Sequence, residues 1–205
     1  MEQITSAQNS KIKNANKLKK KRERDKTGLA LVEGIHLIEE AYQSQIEVIQ
    51  LFIVDTDRMS SSINLKVAEA LSGTVTPQGF FAIIKKPTYD KTLAKQVLLI
   101  DRIQDPGNLG TLIRTADAAG LDLIVMEKGT ADPFQDKVIR ASQGSIFHLP
   151  VIFDDINNYI HQFNGPVYGT ALENAVSFND IEAQANLLVL TPKLIERGSV
   201  INFIK

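Results

Sequence analysis

From residue 97 onward, short apolar runs alternate with segments of helical spacing, and that alternation limits the fold more than any other feature of the chain. Val97-Leu98-Leu99-Ile100, Leu123-Ile124-Val125-Met126, Pro166-Val167-Tyr168-Gly169-Thr170 and Leu187-Leu188-Val189-Leu190 read as strands. Leu109, Leu112, Ile113, Ala116 and Ala119 recur at the helical period, and residues 137–143 and 154–163 read as further helices. Strands alternating with helices predict a mainly parallel α/β sheet.

Upstream of this region, residues 29–32, 48–54 and 80–84 read as strands, and residues 35–42 and 65–71 as helices. Residues 7–25 are rich in Lys and Ala and read as one helix, with Ser6 as its N-cap. Lys85-Lys86-Pro87-Thr88 breaks the pattern and Lys91 to Lys95 is polar, so the domain boundary falls near residue 90. The expected fold class is α/β, with a small N-terminal α/β domain over 1–90 and a parallel-sheet domain over 91–205. At 43% hydrophobic and 23% charged, the chain of 205 residues is globular in composition and long enough to bury a core without staples.

A formal charge of −1 hides two unlike parts. Residues 1–26 hold nine basic and three acidic residues, or +6, and the remainder holds 14 basic and 21 acidic, or −7. A basic arm on an acidic body suggests a polyanion partner, because Lys and Arg neutralise phosphates and release counterions. On charge alone, a solvated helix face explains the arm as well. Ile4, Ile12 and Leu18 are its only bulky apolar residues, too few for the apolar face of a membrane-binding helix. No apolar run has the length of a spanning helix and the first residues have no signal-peptide core, so a cytoplasmic protein with no membrane partner is expected. With no cysteine, disulfides, thiolate metal sites and Cys nucleophiles are excluded. His36, His148 and His161 lack metal-ligand spacing and read as structural, so no metal site is expected.

The loop Asp101-Arg102-Ile103-Gln104-Asp105-Pro106-Gly107-Asn108-Leu109-Gly110 leaves the carboxyl end of a buried strand and enters a helix. Ligands of open α/β sheets bind at such places. Pro106 and Gly107 force a tight turn, Asn108 is a candidate helix cap, and Gly110 permits close approach of another backbone. Arg114 follows one turn later and Asp117 three residues beyond it. Spacing alone leaves two readings open: an anion-binding loop at a helix N-terminus, or a capped turn with Arg114 in a surface ion pair. The loop is neither a Walker A nor a GxGxxG sequence, so nucleotide hydrolysis and NAD binding are unsupported.

The run Asp105-Pro106-Gly107-Asn108-Leu109-Gly110-x-x-Ile113-Arg114-Thr115-Ala116 resembles the first signature motif of the SpoU/TrmH family (SPOUT superfamily) of RNA ribose 2′-O-methyltransferases. Asn9-Ser10-x-x-Lys13, Leu31-Val32-Glu33-Gly34 and Thr76-Pro77-Gln78-Gly79 resemble parts of its N-terminal substrate-binding domain. Lys137-Val138-Ile139-Arg140-Ala141-Ser142-Gln143-Gly144-Ser145 resembles its mid-domain stretch. The resemblance implies methyl transfer from the cofactor S-adenosylmethionine to a ribose 2′-hydroxyl of RNA, ribosomal RNA being the expected partner. It assigns Arg114 to activation of that hydroxyl and Asn108 to orienting Arg114 and the loop. A guanidinium is too basic to act as a general base, so holding the RNA phosphate and offsetting alkoxide charge is the easier role for Arg114.

Arg140 matches a family Arg near the RNA site that reaches across a dimer. An ion pair with Asp136 explains Arg140 equally well. The expected RNA-binding residues are Lys13, Lys17, Lys19, Lys20, Lys21, Arg22, Arg24 and Arg140. The family's cofactor lies in a deep trefoil knot, and the resemblance places Thr170, Ala171 and Leu172 as backbone contacts to it. After Leu190 the chain departs from the pattern. Thr191-Pro192-Lys193-Leu194-Ile195-Glu196-Arg197-Gly198 stands where Gly-Asn-Glu-x-x-Gly is expected, and no Ser-Leu-Asn stretch follows. The sequence-based expectation is therefore a knot left incomplete by truncation, frameshift or natural divergence after Leu190, in a family whose full-length form is a homodimer. A catalytically inactive RNA-binding protein derived from the family is the alternative.

Overall fold

The computed structural model describes residues 3–54, 61–89, 94–171, 187–191 and 202–204. Its strands are β1 (Gln3–Ile4), β2 (Leu29–Glu33), β3 (Val48–Val54), β4 (Ser61–Ile63), β5 (Phe80–Lys85), β6 (Gln96–Ile100), β7 (Leu123–Met126), β8 (Val151–Phe153), β9 (Val167–Ala171), β10 (Leu187–Thr191) and β11 (Asn202–Ile204). Its α-helices are α1 (Ser10–Lys17), α2 (Lys21–Thr27), α3 (Ile35–Gln43), α4 (Leu65–Leu71), α5 (Pro106–Ala118), α6 (Asp136–Ala141) and α7 (Ile156–Gln162). No helix among the described residues is long and apolar enough to cross a membrane.

The strands form two sheets. The first runs β1-β4-β3-β5-β2, mixed in direction, with β5 antiparallel to both β2 and β3. The second runs β11-β9-β10-β6-β7-β8, parallel throughout except for β11 against β9. This is the mainly parallel α/β sheet that the alternating pattern predicts. Its middle strands β6 and β7 are buried on both faces: Val97, Leu99, Leu123 and Val125 pack with Ile156 on one side, while Leu98, Ile100, Ile124 and Met126 face α5 and α6 on the other. That second cluster continues into Ala30, Val32, Ala82 and Ile84 of the first sheet and Leu37 of α3, so one apolar cluster joins the two sheets. Leu99 is fully buried, and Leu99→Ala would cost about 2–5 kcal/mol in lost transfer energy and cavity.

The arm departs from the single helix expected over 7–25. It is two helices, broken at Leu18-Lys19-Lys20. Asn9, not Ser6, caps α1, its side chain accepting from the Lys11 N–H at 2.8 Å. Leu18 is buried at the break, and Lys19 reaches the carbonyl oxygens of Ala70 and Ser72 at 2.9 and 3.1 Å. Lys19 thus satisfies acceptors at the end of α4, and burial of Leu18 outweighs the helix propensity of its neighbours. Gly28, at φ 68°, closes α2 in the left-handed conformation that glycine takes without strain.

The short strands β1, β4, β8 and β11 were not expected; each is two or three residues long and carries too little pattern to read. The segments that would form the expected knot, residues 172–186 and 192–201, lie outside the described residues.

Candidate functional site

The site is built on the loop between β6 and α5. Ile103 is buried in it and its carbonyl oxygen accepts from the Ala131 N–H at 2.8 Å, while the Ile100 carbonyl accepts from the Glu127 N–H at 2.9 Å. These bonds tie the loop to the β7–α6 connection. Arg102 takes a positive φ of 54° and turns back to pair with Asp101 at 2.5 Å. Exposed polar ends beside buried Ile103 hold the turn outward at the carboxyl end of the sheet.

The cap of α5 differs from expectation. Asp105, not Asn108, is the N-cap, its carboxylate accepting from the Asn108 N–H at 2.8 Å, and Pro106 follows in the first helical turn. That N–H holds the Asp105 carboxyl below its ordinary value, with Lys137, 3.7 Å away, acting in the same direction. Asp followed by Pro is a known start signal, and here it outranks the asparagine three residues on. Asn108 is exposed inside the first turn, where its side chain faces solvent rather than capping.

α5 seats against α6 through Gly110. A Cβ there would lie 2.5 Å from Ala141 Cβ and 2.9 Å from the Val138 carbonyl oxygen, so only glycine permits this crossing. One turn on, Arg114 is exposed and makes no hydrogen bond or ion pair among the described residues. The surface ion pair that spacing allowed with Asp117 is not formed. Asp117 instead meets His148 Nδ1 at 3.3 Å, and His148 Nε2 lies 2.8 Å from Glu40 of α3. His148 thus links α3 to α5, and Asp117 is engaged there rather than with Arg114.

The sheet register brings the cofactor candidates to the same edge. β10 pairs Thr191 with Ile100 of β6 and Leu190 with Gly169 of β9. Thr170 and Ala171 therefore end β9 at the edge from which the Asp101–Asp105 loop departs, two strand spacings or about 10 Å away. Ligands of open α/β sheets bind beyond such carboxyl strand ends. Leu172 lies outside the described residues.

Among the expected RNA contacts, Lys13, Lys17, Lys20, Lys21 and Arg22 are exposed on α1, α2 and the turn between them. Lys21 pairs with Asp25 and sits 5.7 Å from the Phe153 ring centroid. Lys19 keeps an exposed stem, but its ammonium is engaged, and burial holds it below the usual lysine value while Asp136 and Glu33 pull the other way. Arg140 forms the ion pair with Asp136 that its spacing allowed. It lines a cleft of about 380 Å³ between the arm and α6, with Lys19, Phe134 and Lys137.

Arg24 is a correction. It is 3% exposed and its guanidinium faces inward to Asp132, so it does not present to RNA. Asp132 is a residue the sequence reading missed altogether, since nothing in a loop aspartate 108 positions away signals its partner.

Comparisons with known proteins point one way. Residues 95–191 match the family model described as SpoU rRNA Methylase family, and residues 9–82 match the MRM3-like substrate binding domain. The chain is 43% identical over 193 residues to the 23S rRNA (guanosine(2553)-2'-O)-methyltransferase RlmP of Bacillus subtilis (strain 168), covering 88% of this chain and 78% of that protein. It is 34% identical over 162 residues to the mitochondrial rRNA methyltransferase 3 of Homo sapiens, covering 67% of this chain but 39% of that longer protein. The AdoMet-bound rRNA methyltransferase from Sinorhizobium meliloti superposes with a TM-score of 0.81 at 27% identity, covering 97% of this chain and 83% of that one. A crystal structure of an RNA 2'-O ribose methyltransferase gives a TM-score of 0.76 at 26% identity, covering 93% of this chain and 81% of the other.

Proposed function

The chain belongs to the SpoU rRNA methylase family, and from that premise we propose that it methylates a ribose 2′-hydroxyl of ribosomal RNA with Arg114 at the reacting group. S-adenosylmethionine, the family's cofactor, supplies the electrophilic methyl when bound. Thr170 and Ala171 hold it through backbone groups at the β9 end, with Leu172 continuing that contact. Arg114 holds the phosphate beside the target ribose and offsets the charge that grows on the 2′-oxygen as its proton passes to solvent water. A guanidinium keeps its proton in any protein, so electrostatic stabilisation rather than proton abstraction is its chemistry. Asn108, exposed on the first turn of α5, contacts the same RNA segment.

Residues 1–90 serve as the RNA-binding part and 91–205 as the methyl-transfer part. The exposed cations Lys13, Lys17, Lys20, Lys21 and Arg22 contribute phosphate contacts, and Lys19 adds its stem and partial charge. Arg140 approaches RNA across a homodimer, in the cytoplasm where the ribosome is made.

One observation carries the reading. Arg114 is an exposed guanidinium with no partner among the described residues, on a helix that starts at the same sheet edge as the cofactor candidates. Arg114→Ala tests it. The variant keeps the parent's melting temperature and loses about 10²–10³-fold in methyl transfer, the effect of removing one charge-stabilising donor. Unchanged transfer excludes Arg114 from the chemistry. RNA binding without any transfer by the parent chain supports the inactive RNA-binding protein instead.

A further inference from the structure

The sequence places Arg24 in a run of RNA-facing cations, yet the structure removes it from solvent. Its Nε and Nη2 both donate to Asp132 Oδ2, at 2.9 and 2.5 Å, and its Nη1 donates to the Leu18 carbonyl oxygen at 2.6 Å. Asp132 has its other oxygen committed: Oδ1 accepts from the Phe134 N–H at 3.0 Å, which turns the chain into α6. All three guanidinium nitrogens of Arg24 thus donate, to groups from two other segments: the break between α1 and α2, and the β7–α6 connection. Next to Asp132, the Ala131 N–H bonds to the Ile103 carbonyl in the loop that carries α5. A continuous set of bonds therefore runs from the basic arm to the loop that presents Arg114.

We propose that Arg24 and Asp132 are positioning residues that fix the RNA-binding arm against the methyl-transfer site. The proposal rests on the reading of the arm as an RNA-binding element. Taking two charges out of water is costly, and an apolar pair of similar volume would hold a core as well. What the charged fork adds is direction: an in-plane guanidinium with three engaged nitrogens admits one orientation of the arm. Lys21 and Arg22 precede Arg24 on the same helix and Lys20 stands at its N-cap, so their places relative to Arg114 are set by this pair. RNA that meets both the arm and the α5 loop then binds without first ordering one against the other.

The test uses the full chain, the variant R24M/D132N, which leaves no unpaired buried charge, and an unmodified 23S rRNA transcript. Far-UV circular dichroism checks folding. Filter binding over a range of salt gives the affinity and its salt slope. The double variant is expected to bind RNA about tenfold more weakly, as an arm and a body no longer held in register, with the salt slope unchanged. Trypsin is expected to cut between Lys17 and Lys26 faster than in the parent. Should the double variant fail to fold, Arg24→Lys, which keeps a charge beside Asp132 but loses the planar fork, is read by the same measurements. Unchanged affinity in the folded variant overturns the proposal. A salt slope reduced by about one also overturns it, because that is the signature of a lost phosphate contact. If the parent itself binds no RNA, the RNA-binding reading fails before any variant is compared.

Discussion

Replacing Gly110 with alanine measures how tightly the site helix must seat. The new Cβ would lie 2.5 Å from Ala141 Cβ, 2.9 Å from the Val138 carbonyl oxygen and 3.0 Å from the Ala141 carbonyl carbon. An ordinary carbon–carbon contact lies at about 3.5 Å, so α5 and α6 must part by about 1 Å. Two of the three obstacles are backbone atoms, and no side-chain rotation relieves them. Overpacking costs about 1–3 kcal/mol, and backbone clashes fall at the upper end. Alanine regains about 1 kcal/mol of helix propensity over glycine. The net loss is about 2 kcal/mol, read as a lower urea midpoint at unchanged m-value.

Gly107→Ala on the same helix is the control. Its Cβ meets no backbone, only the capping Asp105 carboxylate oxygen at 3.0 Å, which needs to give by a few tenths of an ångström, and Lys137 Cε at 3.9 Å. It is expected within about 0.5 kcal/mol of the parent. A displacement of about 1 Å at the start of α5 also lowers methyl transfer by about 10²-fold, because the reacting groups lose alignment. Gly110→Ala as stable as Gly107→Ala would refute the close-packing argument.

Arg24→Met alone strands the Asp132 carboxylate in a buried site and is expected to cost about 3–5 kcal/mol in urea unfolding; a loss under about 1 kcal/mol would mean that water reaches the site. Joint charge reversal of Lys20, Lys21 and Arg22 is expected to reduce the salt slope of RNA binding by about 2 to 3, one step per lost phosphate contact, while leaving the melting temperature near the parent's. The Asp105 carboxyl is held below its ordinary value of 3.8, so its cap stabilises the protein above that pH and the contribution is lost as pH falls through the depressed value. Asp105→Asn, which caps without titrating, is expected to lose less melting temperature than the parent between pH 5 and pH 3, and an identical acid loss would contradict the assignment of Asp105 as the cap.

The parallel sheet was legible because β6, β7 and β10 are continuous apolar runs, and burial of β6 and β7 on both faces leaves no alternation. Gly110 was legible as a point of close approach because the helix period turns it toward a neighbour, whereas Arg114 was singled out only by the resemblance of its motif, since spacing left a surface ion pair open. Burial decided the rest. Arg22 and Arg24 look alike in sequence, yet one faces solvent and the other is captured by Asp132, because α2 lays one face on the body. The break at Leu18 likewise follows from a contact with α4 that no local propensity encodes. His148 joins α3 to α5 through Glu40 and Asp117, a tertiary pairing invisible to spacing.

Methyl transfer itself tests the account most directly. An unmodified 23S rRNA transcript incubated with this chain and S-adenosylmethionine, then digested and analysed by mass spectrometry, is expected to carry a 2′-O-methyl group at one nucleotide, absent from the Arg114→Ala reaction. Methylation on a base, or 2′-O-methylation that survives loss of Arg114, would contradict it.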